Sequence, residues 1–352
     1  MVDAPTSGAT SLGRRRGTAA VHSTVMRVSV VIPCYNSLRF LPETLDSVLD
    51  QTFSATNGRF EVVLVDDGGD DDLGAWAAGL GDDRVHVVRQ QNAGVSAARN
   101  LGIAVAAGEL IAFCDSDDLW TTGTLAALVA CFDNDPGIGL AYGWYDVIDA
   151  DGRPTGRVER SDWQGEVWDR FVTANPVAAS ASMVSRAALD DVGVFAVNRD
   201  KFPIDVEDWE LWIRIAAQWR VGLAPAVLAH HRRHDSNSSS DVDSLEAAYA
   251  HLLDVAFARV DPDRARLRPA ANAQVQVRLA WHAINDSHDP RRALAALRRA
   301  TTSDPELRRT REYWRLRLAA SALCVTGDAG YRMMRSANRT ARRAAAKLPA
   351  RN

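Results

Sequence analysis

Within the first 120 residues, runs of apolar, β-branched residues end four times in polar or acidic loops. Val28-Ser29-Val30-Val31-Ile32-Pro33 places apolar side chains on both faces of an extended chain, which predicts a strand inside a parallel sheet. Pro33 ends it, Cys34-Tyr35-Asn36-Ser37 forms a loop, and Leu41, Leu45, Val48 and Leu49 give Leu38–Gln51 the spacing of a helix. Phe60–Val65 repeats the pattern and closes on Asp66-Asp67-Gly68-Gly69-Asp70. Arg84–Arg89 makes a third strand, followed by a glycine-marked turn from Gln90 into a small-residue helix ending near Gly102. The fourth strand begins at Leu110 and delivers Asp115-Ser116-Asp117-Asp118. Successive β-α units of this kind predict an open α/β layer that gathers its ligand at the carboxyl ends of the strands.

The pattern then loosens. Asn134–Gly137 reads as a turn, Ile138–Tyr145 as a strand, and Asp151–Pro154 as another turn. Residues 160–182 hold Trp163, Trp168 and Phe171, then Asn175-Pro176-Val177; such indoles suit a sugar pocket, although a core position is their commoner fate. Over Asp205–Ala216, Leu211, Trp212 and Ile215 share a helical face, with Glu207 and Asp208 at the positive end of the helix dipole. His230-His231-Arg232-Arg233-His234, running on to Ser239, reads as a polar loop. From Ser244 onward the spacing is helical, and Ala280–Ala300 is similar to one hairpin of the tetratricopeptide kind.

Composition narrows this picture. The 352 residues are 47% hydrophobic and 24% charged, enough for one large domain and a smaller one. A net charge of -4 offers no overall case for a nucleic-acid binder. The four cysteines show no paired or zinc-like spacing, which fits reduced thiols in a cytoplasm. No run reaches the roughly 18–20 apolar residues of a membrane span. Met1–Thr24, with Arg14-Arg15-Arg16 and no apolar stretch behind them, reads as a disordered arm rather than an export signal. The end is different: Tyr331–Asn352 carries Arg332, Arg335, Arg339, Arg342, Arg343, Lys347 and Arg351 with no acid, a composition suited either to solvent or to an anionic membrane surface. The expected location is therefore cytoplasmic, with peripheral contact at the inner face of the cell membrane through that tail.

The acids carry the candidate chemistry. If the chain stays extended, Asp115 and Asp117 face the same way, and their repulsion calls for a hard cation, Mg²⁺ or Mn²⁺, shared with a substrate phosphate. The competing reading is an acidic turn with Asp118 or Thr121 capping the helix that follows. Asp66 and Asp67 stand equally well as a solvated turn, and Arg99 as a helix-surface cation. The three histidines make a poor zinc set at adjacent positions of a polar loop. Neither G-x-G-x-x-G after the first strand nor G-x-x-x-x-G-K-[ST] occurs, which removes dinucleotide and P-loop readings.

Taken together, Val28–Asn36, Val65-Asp66-Asp67-Gly68, Asn92-Ala93-Gly94-Val95-Ser96-Ala97-Ala98-Arg99-Asn100 and Asp115-Ser116-Asp117-Asp118 resemble, in order and spacing, the successive motifs of family 2 glycosyltransferases. The resemblance implies a GT-A-like, Rossmann-type nucleotide-binding layer with a mixed sheet over residues 25–240. The helical region 241–330 and the basic tail 331–352 would follow it. It implies further that Pro33, Tyr35 and Asn36 line the nucleotide pocket and that Asp66 accepts the imide N–H of a uracil or thymine. Gly69 stands where the family most often has serine. Arg99 would steady the nucleotide side, with Asn92 and Ser116 nearby; Asp115 would sit near ribose and metal, Asp117 on the cation, and Asp118 as a third acid. Asp208 would be the base that takes the acceptor's proton and Glu207 its orienting neighbour. Arg232 and His234 would close over the diphosphate or complete the metal shell, although His231 replaces the family's tyrosine there and the segment is a residue shorter than usual.

The expected activity is metal-dependent, inverting transfer from a nucleoside-diphosphate sugar, UDP favoured, to a carbohydrate, lipid-linked or protein hydroxyl. Two alternatives stand beside it. A sugar-phosphate nucleotidyltransferase would open with a glycine-rich basic loop, which Pro33-Cys34-Tyr35-Asn36 is not, and a non-catalytic nucleotide or glycan binder would not need Asp208.

Overall fold

Why the acidic strand ends meet is set by register. In the computed structural model, β1 (Met26–Cys34) lies between β2 (Arg59–Asp66) and β4 (Leu110–Phe113), both parallel to it. Cys34 pairs with Asp66 and Val31 with Phe113, so the loops after all three strands emerge at one edge. The structure describes residues 26–52, 59–197, 206–234, 242–258 and 260–346; the arm 1–24, Asp205, the serines 236–239 and the last six positions of the basic tail lie outside them. β3 (Val85–Arg89) extends the parallel part beyond β2.

The rest of the sheet turns it into a mixed one, in the order β3-β2-β1-β4-β8-β6-β9-β5, with β7 beside β6. β5 is Leu119–Trp120, β6 Ile138–Asp149, β7 Pro154–Glu159, β8 Ser182–Ser185 and β9 Arg220–Arg233. β8 runs antiparallel between β4 and β6, and β9 runs parallel to β6 and antiparallel to β5. His230 to Arg233 were expected in a loop and instead finish β9, where Asp146 pairs with His230 and Ile148 with Arg232.

Side-chain alternation gives the sheet two apolar faces. Val30, Ile32, Val62 and Leu64 face α1 (Leu41–Leu49), α2 (Leu73–Ala78) and α4 (Thr124–Asn134). Val31, Val63, Val65 and Phe113 face α3 (Val95–Val105), α5 (Trp168–Phe171), α6 (Arg186–Val192) and α7 (Glu207–Gln218). Gly102 lets α3 press against β1, since a Cβ there would lie 2.3 Å from Val31 Cγ1.

The carboxyl-terminal helices continue this second core rather than starting another. They are α8 (Val242–Ala256), α9 (Pro262–Ala265), α10 (Arg268–Asn285), α11 (Pro290–Ser303) and α12 (Arg311–Ala346), the last broken at Gly327 with φ 64°. Tyr249 meets Trp209 edge-on at 5.8 Å, Phe257 meets Trp168 at 5.4 Å, and Arg278 lies 4.9 Å over Trp209. The expected hairpin is present as α10 and α11, with Asp289 capping the second helix through Arg292 N at 2.9 Å.

Candidate functional site

The loops after β1, β2 and β3 brace one another. Pro33, next to last in β1, is half-buried, Tyr35 is 55% exposed, and Asn36 adopts a left-handed φ of 49°. Asn36 Oδ1 accepts from Asp70 N at 2.7 Å, tying the first loop to the second. A Cβ on Gly69 would meet Asn36 N at 2.8 Å, which accounts for glycine where serine was the expectation. Asp66 is 2% exposed and accepts from Gly68 N (3.0 Å), Gly69 N (3.3 Å) and Arg89 Nη1 (2.8 Å). The Arg89 side chain is 60% exposed, whereas that of Asp66 is 3% exposed.

Asp67 was overlooked as a site residue and has a defined task. Its oxygens accept from Gln90 Nε2, Ala93 N and Gly94 N at 2.7, 2.8 and 2.9 Å, which holds the turn carrying Asn92 and fixes the start of α3. The sequence signal was the doubling of aspartate before Gly68.

The acids after β4 do not continue an extended strand. Asp118 N donates to Asp115 O at 3.1 Å, so residues 115–118 form a turn and Asp115 and Asp117 face different partners, contrary to the alternation expected of them. The cause is Asp118, 1% exposed, whose carboxylate accepts from Ser180 Oγ (2.6 Å) and Arg232 N (2.8 Å) and lies 3.3 Å from His231 Nδ1. Asp118 is thereby an anchor of the turn rather than a third acid facing substrate. Burial pulls the His231 imidazole down, but Asp118 outweighs it and pushes the ring up to about 9. Ser116 O accepts from Thr44 Oγ1 at 3.0 Å. Asp117 Oδ2 lies 2.8 Å from His234 Nε2, and that ring stacks on Phe40 at 4.6 Å.

Arg232 does not occupy the place expected of it. It is 1% exposed, and its guanidinium donates to Asp117 O (2.7 Å), Ala150 O (3.2 Å) and Glu43 Oε2 (2.7 Å). It clamps the backbone beneath Asp117 instead of closing over a diphosphate, because β9 carries its stem into the interior.

One side chain joins the two halves of the site. Arg99, 3% exposed in α3, donates through Nη2 to Asp115 Oδ1 at 2.7 Å and through Nη1 to Glu207 Oε1 at 2.8 Å. It is neither a surface cation nor confined to the nucleotide side. Its Nε is buried with no partner among the described residues. Glu207 Oε2 also accepts from Val206 N at 3.2 Å at the entry to α7. Asp208, next along that helix, remains partly exposed; its Oδ1 accepts from Trp209 N at 2.5 Å and lies 3.4 Å from Asn175 Nδ2. Burial first, and then the charge of Glu207, push the Asp208 carboxyl up to about 8. Asn175, unassigned from the sequence, is thus the neighbour of Asp208.

Asp115 and Asp117 are the acids that could hold a hard divalent cation. Burial and the charges of Asp118 and Asp115 push Asp117 up to about 6, a crowding of carboxylates that a dication relieves. Among the described residues there is no cluster of three or more His, Cys, Asp or Glu ligands. One or two protein ligands completed by substrate phosphate oxygens and water is the usual arrangement for Mg²⁺.

Comparison with known proteins gives the following. Residues 29–202 match the family model described as glycosyl transferase family 2. An uncharacterized glycosyltransferase of Rickettsia felis is 30% identical over 222 residues, covering 62% of this chain and 34% of that protein. Glycosyltransferase GlyG of Streptococcus pneumoniae is 43% identical over 95 residues, covering 26% of this chain and 30% of that protein. The chain spans about a third of the length of these relatives. The structure of S. aureus TarS in complex with UDP-GlcNAc is similar in fold, with a TM-score of 0.52 and 20% identity over 81% of this chain and 92% of that one.

Proposed function

Residues 29–202 belong to glycosyl transferase family 2, and from that premise we propose that the chain transfers a sugar from a nucleoside diphosphate to a hydroxyl acceptor, inverting the anomeric carbon. The observation that carries this reading is Arg99, whose guanidinium grips Asp115 on the donor side and Glu207 beside Asp208 on the acceptor side. A hydroxyl is a poor nucleophile at neutral pH, and a positioned carboxylate raises its reactivity by about 10²–10⁴. Asp208 takes the acceptor's proton as its oxygen attacks the anomeric carbon. The bond from that carbon to the diphosphate breaks on the opposite face, and the nucleoside diphosphate leaves. Asp115 and Asp117 would hold Mg²⁺ or Mn²⁺ together with diphosphate oxygens and water, and the ion would supply positive charge for the oxygen that departs.

Arg99 and Arg232 act differently from the base. Arg99 fixes the spacing between the two acidic groups, and Arg232 keeps the Asp117 turn rigid. Among nucleotides UDP is favoured, because Asp66 offers an acceptor to an imide N–H behind the replaceable Arg89, and because TarS, similar in fold, is seen with UDP-GlcNAc. The working place proposed is the cytoplasmic membrane face. No helix of the described residues is long and apolar enough to cross a membrane, α12 exposes Trp314, Leu318 and Val325, and the basic tail begins within that helix at Tyr331.

Calorimetry with UDP, dTDP, GDP and CDP, each with and without Mn²⁺, tests the donor side. UDP is expected to bind most tightly and to gain affinity with the metal. Failure of every nucleotide to bind overturns the reading.

A further inference from the structure

The geometry points to a carbohydrate acceptor site in an open trough of about 380 Å³ lined by Trp144, Trp163 and Pro176, whose neighbour Asn175 bonds Asp208. This rests on the glycosyl-transfer reading and adds the class of acceptor to it. Trp144 lies on β6 two residues after Tyr142, so alternation turns both toward the sheet face that carries α3 and α7. Trp163 is brought opposite by its own backbone: Tyr142 Oη donates to Trp163 O at 2.8 Å, and Trp144 Nε1 donates to Ser161 O at 2.8 Å. These bonds leave both indoles partly exposed with their polar atoms or neighbouring carbonyls already satisfied.

Pro176 closes the far wall, and the residue before it, Asn175, bonds the Asp208 carboxylate. The lining of the trough is thereby joined through Asn175 to Asp208, the group that would take the acceptor's proton. The lining is mainly indole and proline, with Arg160 lying 5.4 Å over Trp144 and Asp162 at the rim, its side chain 92% exposed. Flat apolar walls with one cation and one anion at the edge match a pyranose, which has C–H bonds on its faces and hydroxyls around its rim. The volume lies in the range of ordinary ligand pockets and takes one or two such rings. A lipid tail would cover the Arg160 guanidinium without offering it a partner.

The test follows indole N–H resonances of the whole chain while methyl pyranosides and short oligosaccharides are added, with UDP and Mn²⁺ present. Trp144→Leu and Trp163→Leu assign the two signals and serve as the binding variants. At least one saccharide of the panel is expected to shift both signals, and each variant to weaken that binding by about tenfold. Should either variant fail to fold, the shifts in the unaltered protein still decide the matter. Saccharide binding that leaves both signals unmoved, no binding by any saccharide, or displacement of the signals only by phospholipid vesicles or a serine peptide overturns the proposal. UDP affinity, measured in the same samples, separates the two readings: nucleotide binding without indole shifts removes the acceptor site alone, and indole shifts without nucleotide binding remove the transferase reading alone.

Discussion

For the proposed role of base, Asp208 starts in the wrong ionisation state. With its carboxyl pushed up to about 8 by burial and Glu207, it is largely protonated at neutral pH before substrate arrives. The folded protein therefore keeps a proton that the unfolded chain releases near pH 4, and stability falls as pH rises from about 4 to about 8. Asp208→Asn removes this penalty: melting curves should show a higher Tm at pH 8 than the unaltered protein and a flatter loss across that window. The same substitution should lower turnover by about 10²–10⁴ while UDP affinity holds. In the unaltered protein, kcat/KM should climb with pH and level off above about 8. A second test concerns Arg99. Arg99→Met strands Glu207, whose side chain is 7% exposed, without its cation, and should cost about 3–5 kcal/mol in denaturant unfolding. Arg99→Lys should not restore activity, because one ammonium cannot reach both carboxylates in the planar, two-pronged way.

At the scale of elements, α3 is the part whose position matters most, because it carries Arg99 and rests on β1 through Gly102. A methyl at Gly102 would collide with Val31 on β1 and crowd Val65 on β2 at 3.2 Å. Gly102→Ala should destabilise the fold by about 1–3 kcal/mol and weaken metal-assisted UDP binding as Arg99 shifts, both measurable by calorimetry. Elements of this kind were legible in advance. β1, β2, β3 and β4, their loops and α7 stand where their apolar spacing put them, since each signal is local. β8 and the end of β9 were not legible. Ser182-Met183-Val184-Ser185 is short and half polar, and His230–Arg233 is polar throughout; both become strands because neighbours on each side supply hydrogen bonds. The candidate site divides the same way. Asp66, Asp115, Asp117 and Asp208 could be picked out from motifs. The roles of Asp118 and Arg232 depend on a bond between residues 114 positions apart, which no window of sequence contains.

Across the whole molecule, the helical region is fastened to Trp209, the residue after Asp208. Tyr249 and Arg278 both pack on Trp209, immediately after Asp208, and Arg157 of β7 lies 5.9 Å over Trp281 of α10. A single unfolding transition is therefore expected by calorimetry for the whole chain, and truncation before α8 should abolish it by exposing Trp168 and Trp209 to water. Two separate transitions would contradict a shared core. The basic tail makes a different prediction: deleting 331–352 should weaken adsorption to vesicles of anionic lipid, most strongly at low salt, with neutral vesicles unaffected. The bridge made by Arg99 also constrains any chimera assembled from this chain and a relative. A graft that imports the first half without the segment bearing Glu207, or the reverse, leaves an arginine or a carboxylate stranded in the interior. Exchange of sugar preference must therefore be sought around the rim, while the joint between the halves is inherited as one piece.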